Sequence, residues 1–412
     1  MEYGCIGEHL THSFSKEIHG YLQDCPYILQ EIPMGALDAF LQARDFKAIN
    51  VTIPYKQAVI PHLDWVDPIA KQIGAVNTIV NRGGKLHGYN TDFGGMADMI
   101  RWAQIPMAGK KVLIFGTGGT CRTAEAVARH MGAASVYRVS RSQTPNAITY
   151  ETAQASHLDA QVLINTTPRG MFSREAGMPM DPGLFTALQG VVDAVYNPLR
   201  TEFVLKARDL GVPATGGLYM LVRQAVLASQ IFWDTTYPAS ITQQLYRRIA
   251  AGKENIVLTG MPGCGKSTIG RALARELGRP FVDLDEAIAQ RAGMQPGQII
   301  STRGEAAFRD LESATIRALS DMTGAVIATG GGAVLRQENV DLLRRNGRLF
   351  FLDRPLSQLL PTPDRPLSAT KEAICKRYTE RYHIYRTTAD AVIPNDTTPE
   401  NSVQLLKKEF LG

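Results

Sequence analysis

The chain alternates between short apolar runs and longer stretches in which apolar residues recur at helical spacing. Two of the apolar runs are Lys111-Val-Leu-Ile-Phe115 and Asn255-Ile-Val-Leu-Thr259. Runs of this length predict buried strands, and the helical stretches after them predict helices packed against a parallel sheet. The pattern therefore predicts an α/β fold, in which ligands bind beyond the carboxyl ends of the strands.

The second of these runs leads into a glycine-rich segment, Gly260-Met-Pro-Gly263-Cys-Gly265-Lys266-Ser267-Thr268, and a helical pattern follows from Ile269. Glycines let backbone N–H groups turn toward phosphate oxygens, and the helix adds its positive N-terminal end. Lys266 can reach the outer phosphates and the Ser267 hydroxyl can bind Mg²⁺. Strand, loop and helix in this order predict a P-loop.

The first run leads into a different glycine loop, Gly116-Thr-Gly118-Gly119-Thr120, which a helical pattern and another strand follow. This order is typical of a dinucleotide-binding unit, although Cys121 occupies the third glycine position. Enzymes that use NAD usually carry an acid after the second strand, whereas Ser140-Arg141-Ser142 offers a cation and hydroxyls. A cation there suits the 2′-phosphate of NADP, so Arg141 favours NADP over NAD.

Polar residues also follow apolar runs within the first hundred positions. Ser13 and Ser15 follow the run Tyr3-Gly-Cys-Ile-Gly7, and Lys56 follows the run Ala48-Ile-Asn-Val-Thr52. Asp92 is followed by a helical pattern. The residues alone leave two interpretations open. The serines are ligands or turn and capping residues, Lys56 is functional or a solvated surface lysine, and Asp92 is functional or a helix cap.

Three further patterns follow the P-loop. Phe281-Val-Asp283-Leu-Asp285 predicts a strand with two carboxylates on one face, which is either a Mg²⁺-side acid with a base or a helix N-cap. Arg309 and Glu312 stand one helical turn apart, so the acid can orient the arginine. The segment Gly330-Gly-Gly332 exposes bare backbone, which lets a ligand approach closely.

Composition excludes several classes of protein. A chain of 412 residues predicts two or three lobes, and 44% hydrophobic with 20% charged residues is typical of a soluble globular protein. The net charge of +5 without a block of like charges argues against a nucleic-acid partner. No apolar run approaches a membrane span, and the N-terminus lacks a signal-peptide pattern. Five cysteines without a C-x-x-C pair predict free thiols and a cytoplasmic location.

The first ~245 positions resemble shikimate dehydrogenase. The matching motifs are Ser13-x-Ser15-x3-His19, Asn50-Val-Thr-x-Pro-x-Lys56, Gly74-Ala-Val-Asn-Thr78, Asn90-Thr-Asp92, Asn165-Thr-Thr-Pro-x-Gly-Met171, Asp193-x2-Tyr-x-Pro198 and Gly216-Gly-x2-Met-Leu-x2-Gln224. The resemblance implies that Lys56 and Asp92 form the catalytic pair and that 3-dehydroshikimate is reduced to shikimate with NADPH. It also implies substrate and cofactor contacts, with Ser13 and Ser15 on the substrate carboxylate, Thr52, Asn77, Tyr196 and Gln224 on its other groups, and Gly217 beside NADP(H).

Residues ~255–412 resemble shikimate kinase, again through ordered motifs that include the P-loop, Asp283-Leu-Asp285, Gly330-Gly-Gly332, Asp364-Arg365-Pro366-Leu367 and Arg381-x3-Tyr385. The resemblance implies that shikimate is phosphorylated by ATP with Mg²⁺. It assigns Asp285 to the accepting hydroxyl, Asp283 to the metal and Arg365 to a closing lid. It also implies that four residues bind the carboxylate and ring of shikimate, namely Arg309, Arg381, Gly330 and Gly331. The lid is short and proline-rich and lacks an arginine that the family uses near adenine, so we expect weakened nucleotide binding.

The resemblances together imply three parts. These are a substrate-binding lobe over 1–100 completed by a return helix at about 218–247, a Rossmann NADP-binding lobe over 101–217, and a P-loop kinase domain with a parallel sheet over 253–412. The partners are the small molecules 3-dehydroshikimate and shikimate. Three alternatives remain. They are an NAD-dependent quinate/shikimate dehydrogenase fused to the same kinase, a kinase for another small metabolite, and a regulatory protein with one inactive site.

Overall fold

A computed structural model of the chain describes residues 1–10, 14–172, 177–360 and 370–412. The chain forms two compact units, Met1–Ile249 and Ala250–Gly412. Both are built from sheets with flanking helices. The α/β fold class predicted from the hydrophobic pattern is therefore confirmed.

The first unit begins with a mixed six-stranded sheet. Its strands are β1 Tyr3–Gly7, β2 Tyr27–Glu31, β3 Ala48–Val51, β4 Trp65–Val66, β5 Thr78–Arg82 and β6 Lys85–Tyr89. They lie in the order β2-β1-β3-β5-β6-β4, with β5 antiparallel to both of its neighbours. The helices of this part are α1 Ser15–Leu22, α2 Leu37–Ala43, α3 Pro68–Ile73 and α4 Thr91–Trp102.

A second six-stranded sheet follows and is parallel throughout. Its strands are β7 Lys111–Phe115, β8 Ser135–Ser140, β9 Ile148–Thr149, β10 Val162–Asn165, β11 Gly190–Asp193 and β12 Ala214–Thr215, in the order β12-β11-β10-β7-β8-β9. Its helices are α5 Gly119–His130, α6 Tyr150–Ser156 and α7 Glu202–Asp209. The order of strands changes direction next to β7, which is the switch point where doubly wound sheets bind dinucleotides.

The helix predicted over 218–247 is divided in two, as α8 Leu218–Trp233 and α9 Ile241–Lys253. Helix α8 ends where Asp234 takes a left-handed conformation with φ of 49°, and Pro238 follows in the connection. Helix α8 returns to the first sheet and packs along α4. The two helices approach closely at Gly95, where a Cβ would lie 3.0 Å from the Met220 carbonyl oxygen.

The second unit contains a five-stranded parallel sheet. Its strands are β13 Asn255–Thr259, β14 Phe281–Asp283, β15 Val326–Ala328, β16 Gly347–Asp353 and β17 Ala391–Pro394, in the order β14-β15-β13-β16-β17. Its helices are α10 Lys266–Leu277, α11 Leu284–Ala292, α12 Pro296–Ala318, α13 Gln337–Asn346, α14 Lys371–Thr388 and α15 Pro399–Leu411. The central strand carries Ile256, Val257 and Leu258, all 0% exposed, so the core fixes the strand that leads into the P-loop.

Short 3-10 turns complete the two units. They span Met34–Ala36, Ile60–His62, Pro182–Leu184, Ala333–Leu335 and Leu356–Gln358. Across the described parts of the chain, no helix combines the length and the apolar character that crossing a bilayer requires.

Candidate functional sites

The Lys56 ammonium and the Asp92 carboxylate meet in the first unit. Lys56 follows β3 and Asp92 lies in the first turn of α4, and Nζ donates to Oδ2 at 2.6 Å. Both side chains are largely enclosed, at 16% and 9% exposed. Asn90, not Asp92, caps α4 by accepting from the Phe93 N–H at 3.1 Å. The interpretations of Lys56 as a surface lysine and of Asp92 as a helix cap are therefore wrong.

A buried polar network joins the start of α4 to two predicted substrate residues. The Asn77 side-chain oxygen accepts from the Thr91 N–H at 2.8 Å, and its amide donates to the Thr91 hydroxyl at 3.0 Å. That hydroxyl in turn donates to the Gln224 side-chain oxygen at 3.4 Å. The structure thus brings Asn77 and Gln224 together beside Asp92. Asn50, the first residue of the motif that contains Lys56, supports the network by donating from its side-chain amide to the Thr78 hydroxyl at 3.2 Å.

The other predicted substrate residues come from three places in the first unit. Ser15 opens α1, and the neighbouring Phe14 ring lies 5.4 Å from the Tyr196 ring, so this segment adjoins the loop after β11. Thr52 follows β3 and is fixed by its N–H, which donates to the Ile6 carbonyl at 2.9 Å. Ser13 lies outside the described residues.

The glycine loop after β7 has the conformation that the sequence predicts. Gly116 has φ of 121°, and a Cβ there would lie 2.5 Å from the Thr166 hydroxyl. Gly118 precedes α5 and Gly119 is its first residue, so the helix N-terminus opens at the end of the strand. Gly217 precedes α8, and a Cβ there would lie 2.3 Å from the Ala194 carbonyl oxygen. Close packing therefore requires glycine at positions 116 and 217.

A pocket of about 330 Å³ lies beside this loop, at the carboxyl end of β8. It is lined by two arginines and a set of hydroxyl and amide groups, namely Arg138, Arg141, Thr117, Ser140, Ser142, Thr144 and Asn146, together with Ala147. Arg141 is exposed and has no ion pair within the part of the chain that the structure describes. Cations and hydroxyls around a cavity of this kind fit a phosphate monoester.

Asp193, a motif residue with no predicted role of its own, is a buried carboxylate at the end of β11. It is 0% exposed and accepts from the Asn165 side chain at 2.9 Å, the Val195 N–H at 2.9 Å and the Thr201 hydroxyl at 2.6 Å. It therefore ties together the loops that follow β10 and β11. Burial raises the pKa of Asp193 to about 7, and the three donors offset this only in part.

Asp193 should contribute a loss of stability to the first unit as pH rises from about 4 to about 7, against an opposite contribution from His19, whose pKa burial lowers to about 4. Folded Asp193 keeps its proton where the unfolded carboxyl has lost it, which costs on the order of 4 kcal/mol at the upper end. Asp193→Asn should lack this part of the fall, and Asp181→Asn, at an exposed carboxylate, should keep it. Urea unfolding followed by the three tryptophans, all in the first unit, measures the slope. An unchanged slope in Asp193→Asn would contradict the expectation.

The P-loop of the second unit joins β13 to α10. Gly260, Gly263 and Gly265 have φ of 142°, 81° and 93°, a conformation that other residues rarely adopt. Lys266 opens α10 and crosses the loop, with Nζ donating to the Gly260 carbonyl at 2.9 Å and to the Met261 carbonyl at 3.0 Å. Ser267 and Thr268 follow in the first turn of α10. The predicted strand, loop and helix are confirmed.

The carboxylates after β14 are arranged differently from the prediction. The strand ends at Asp283 and α11 begins at Leu284, so Asp285 lies in a helix and the expected alternation along one strand is wrong. Asp283 is the N-cap of α11, since its Oδ1 accepts from the Asp285 N–H at 3.0 Å. Its Oδ2 accepts from the Ser267 hydroxyl at 2.6 Å. Asp283 is therefore both a helix cap and part of a pair of oxygen ligands of the kind that Mg²⁺ prefers.

Arg309 is held on α12 by two acids. Its Nη1 donates to Glu312 Oε2 at 2.8 Å and its Nη2 donates to Glu305 Oε1 at 3.0 Å. This confirms that the acid one turn away orients the arginine. Burial raises the pKa of the Glu312 carboxyl, and the nearby Arg309 guanidinium offsets part of this rise. A Cβ at Gly330 would lie 2.8 Å from Glu312 Oε1 and 3.1 Å from Asp285 Oδ1, so both acids border this backbone.

Arg381 reaches the same glycine segment from α14. Its Nη1 donates to the Gly331 carbonyl at 3.1 Å, and the buried Tyr385 hydroxyl donates to the same oxygen. Arg309, Arg381, Asp285 and the backbone of Gly330 and Gly331 thus come from three helices and one loop to one place. Arg365 and residues 361–364 of the lid predicted between Leu352 and Arg365 lie outside the described residues.

These features define the class of protein. The first unit is a dinucleotide-dependent oxidoreductase with a Lys–Asp pair, and the second is a P-loop phosphotransferase. The family model "Shikimate dehydrogenase substrate binding domain" matches residues 5–79, and the model "Shikimate kinase" matches residues 262–410. The chain belongs to the shikimate dehydrogenase family in its first unit and to the shikimate kinase family in its second.

Curated relatives match each unit over almost their full length. The NADP(+) shikimate dehydrogenase of Clostridium beijerinckii is 34% identical over 261 residues, which are 59% of this chain and 96% of that protein. The shikimate kinase of Clostridium beijerinckii is 42% identical over 163 residues, which are 39% of this chain and 96% of that protein. The family resemblances predicted from the motifs are therefore confirmed.

Solved structures of shikimate dehydrogenases are similar to the first unit. Shikimate dehydrogenase 1 from Peptoclostridium difficile is 33% identical with a TM-score of 0.56, covering 60% of this chain and 98% of that one. A shikimate 5-dehydrogenase from Thermus thermophilus, solved with NADP(H) and shikimate, is 30% identical with a TM-score of 0.52, covering 60% of this chain and 99% of that one.

Proposed function

We propose that the chain catalyses two consecutive reactions. The first unit reduces 3-dehydroshikimate to shikimate with NADPH, and the second phosphorylates the 3-hydroxyl of shikimate with ATP and Mg²⁺. One observation carries the proposal, namely that a single chain covers 96% of a shikimate dehydrogenase and 96% of a shikimate kinase. The product of the first reaction is then the substrate of the second.

Lys56 and Asp92 would perform the proton chemistry of the reduction. Bound NADPH supplies the hydride to the ketone carbon. The Lys56 ammonium stabilises the negative charge that develops on the oxygen and supplies its proton, while Asp92 fixes the ammonium at 2.6 Å. The substrate carboxylate would lie at Ser13 and Ser15. Its remaining groups would contact the residues assigned by resemblance, which are Thr52, Asn77, Tyr196 and Gln224.

NADP(H) would lie along the glycine loop of the parallel sheet. Gly116 turns the loop at the end of β7, Gly118 and Gly119 leave room for the diphosphate at the N-terminus of α5, and Gly217 would border the cofactor at the start of α8. Arg141 would bind the 2′-phosphate from the pocket after β8. Its exposed, unpaired guanidinium supports NADP over the NAD-dependent alternative.

The P-loop residues would bind ATP and Mg²⁺. The N–H groups around Gly260, Gly263 and Gly265 surround the phosphates, with Lys266 at the outer phosphates and Thr268 in the first turn of α10. The Ser267 hydroxyl and the Asp283 carboxylate, 2.6 Å apart, would hold Mg²⁺, directly or through water. The metal neutralises phosphate charge when it is bound.

Shikimate would lie between α11, α12, α14 and the glycine segment. Arg309 and Arg381 would bind its carboxylate, since a planar guanidinium pairs with a carboxylate through two hydrogen bonds. Gly330 and Gly331 would contact the ring, and Asp285 would accept the proton of the attacking hydroxyl. Arg365 would add positive charge over the transferring phosphoryl group.

We further propose the domain ranges 1–100 with 218–247, 101–217 and 253–412 for the two dehydrogenase lobes and the kinase. The division between compact units at residues 249 and 250 supports the last boundary. The five free thiols support a cytoplasmic location. The proposed substrates and cofactors are small molecules, and the net charge of +5 without a block of like charges argues against a nucleic-acid partner.

One assay tests the proposal and its alternatives. The protein receives 3-dehydroshikimate, ATP and Mg²⁺, first without and then with NADPH, and both NADPH loss and ADP formation are followed. We expect ADP to form only after NADPH is added. NADH acting as well as NADPH would favour the NAD-dependent alternative. Loss of NADPH without ADP formation, even with added shikimate, would show an inactive second site.

A further inference from the structure

The pocket after β8 contains a second arginine besides Arg141. Arg138 lies within β8 and lines the same cavity of about 330 Å³, together with Thr117, Ser140 and Ser142. Residues 138 and 140 share one face of the strand, because side chains alternate along it. We propose that Arg138 is a second cation for the 2′-phosphate of NADP(H) and contributes to the selection of NADP over NAD. The inference rests on the proposed use of NADP(H).

Glu125 on α5 fixes the orientation of Arg138. The Arg138 Nε donates to Glu125 Oε2 at 2.5 Å, and Nη2 pairs with the same oxygen. The guanidinium is planar, so these two contacts determine where its remaining nitrogen points. Nη1 has no partner within the part of the chain that the structure describes, and it is the donor left for a ligand in the pocket.

The charge balance around Glu125 leaves a net positive charge. Glu125 binds two arginines, since its Oε1 also accepts from Arg129 Nη2 at 2.9 Å. Burial raises the pKa of Glu125, but the hydrogen bonds from Arg129 and Arg138 outweigh it and lower the pKa overall, so the carboxylate stays ionised. Arg129 is 61% exposed and does not line the pocket. Arg138, at 25% exposed, and Arg141 therefore face the ligand as a pair.

Two cations match the chemistry of the ligand. A phosphate monoester carries a charge of about −1.5 to −2 at neutral pH, which exceeds what one guanidinium neutralises. NAD has a neutral hydroxyl at that position. Removing a cation from the pocket should therefore weaken NADP(H) and leave NAD(H) nearly unchanged.

The test measures binding of two fragments to the cofactor-free, full-length protein by calorimetry. Adenosine 2′,5′-diphosphate carries the 2′-phosphate, and adenosine 5′-monophosphate lacks it. We expect Arg138→Gln to weaken the first about ten- to a hundredfold and the second less than about threefold. Arg129→Gln, which removes the other partner of Glu125, is the matched control and should change neither. The ratio of kcat/KM for NADPH to that for NADH should fall in parallel.

Each outcome decides one question. Equal weakening of both fragments, or none, in Arg138→Gln would overturn the role of Arg138. Arg138→Lys keeps a cation, so it should retain most of the preference if Arg138→Gln does not fold. If the wild-type protein binds both fragments equally, the proposed use of NADP(H) fails. If it discriminates and Arg138→Gln discriminates equally well, only this inference fails.

Discussion

Replacing Lys56 by alanine should lower the rate of 3-dehydroshikimate reduction by about 10²- to 10⁴-fold and leave phosphorylation of added shikimate unchanged. The rate falls because the Lys56 ammonium, held 2.6 Å from the Asp92 carboxylate, is the group proposed to protonate the ketone oxygen. The kinase keeps its rate because its site lies in the other compact unit. Lys47→Ala is the matched control, since Lys47 pairs with Glu2 on the surface and is 60% exposed.

The reciprocal change is Asp285→Asn. It should lower phosphorylation by a similar factor and leave reduction unchanged, because an amide cannot accept the proton of the attacking hydroxyl. Glu286→Gln, at the next and exposed position of α11, controls for the loss of a charge near the helix N-terminus. Both rates are measured on each folded variant. A variant in which one substitution removes both activities would contradict the assignment of two separate sites.

Features that depend on neighbouring residues were predictable from the sequence. The two glycine loops could be located because positive φ angles, a preceding apolar strand and a following helix are all local signals. The contact between Arg309 and Glu312 was predictable for the same reason, since residues three apart on a helix face each other. The prediction of one continuous return helix was wrong, because α8 ends where Asp234 takes a left-handed conformation and Pro238 follows.

Features that depend on distant residues could not be predicted. Asp193 and Asn165 were recognised only as motif positions, and only the fold shows that the Asn165 amide, 28 positions earlier, donates to the Asp193 carboxylate. Arg138 looks like one polar residue in a strand until Glu125 on α5 is seen to hold it. The predicted alternation of Asp283 and Asp285 along one strand was wrong because Asp283 both ends β14 and caps α11, which begins at the next residue.

Gly332 is the position where adding one methyl group should impair the kinase most selectively. A Cβ there would lie 2.2 Å from Arg309 Nη1 and 2.3 Å from its Cζ. The backbone itself accepts alanine, because φ is −114° and ψ is 0°. The clash therefore falls on the guanidinium that the proposed site uses for the shikimate carboxylate.

Arg309 cannot move away at low cost. Its side chain is 10% exposed, and leaving Glu312, which is 0% exposed, would strand a buried carboxylate at a cost of about 3–5 kcal/mol. We expect Gly332→Ala to weaken shikimate binding at least about tenfold while Mg-ATP binding changes little, because a charge-assisted contact is worth about 1.5–3 kcal/mol. Gly252→Ala, where a Cβ meets nothing within 4 Å, is the control and should bind shikimate normally. A double-mutant cycle completes the test. In an Arg309→Ala background, Gly332→Ala should cost nothing further, and an undiminished additional loss there would show that the methyl group acts on something other than Arg309.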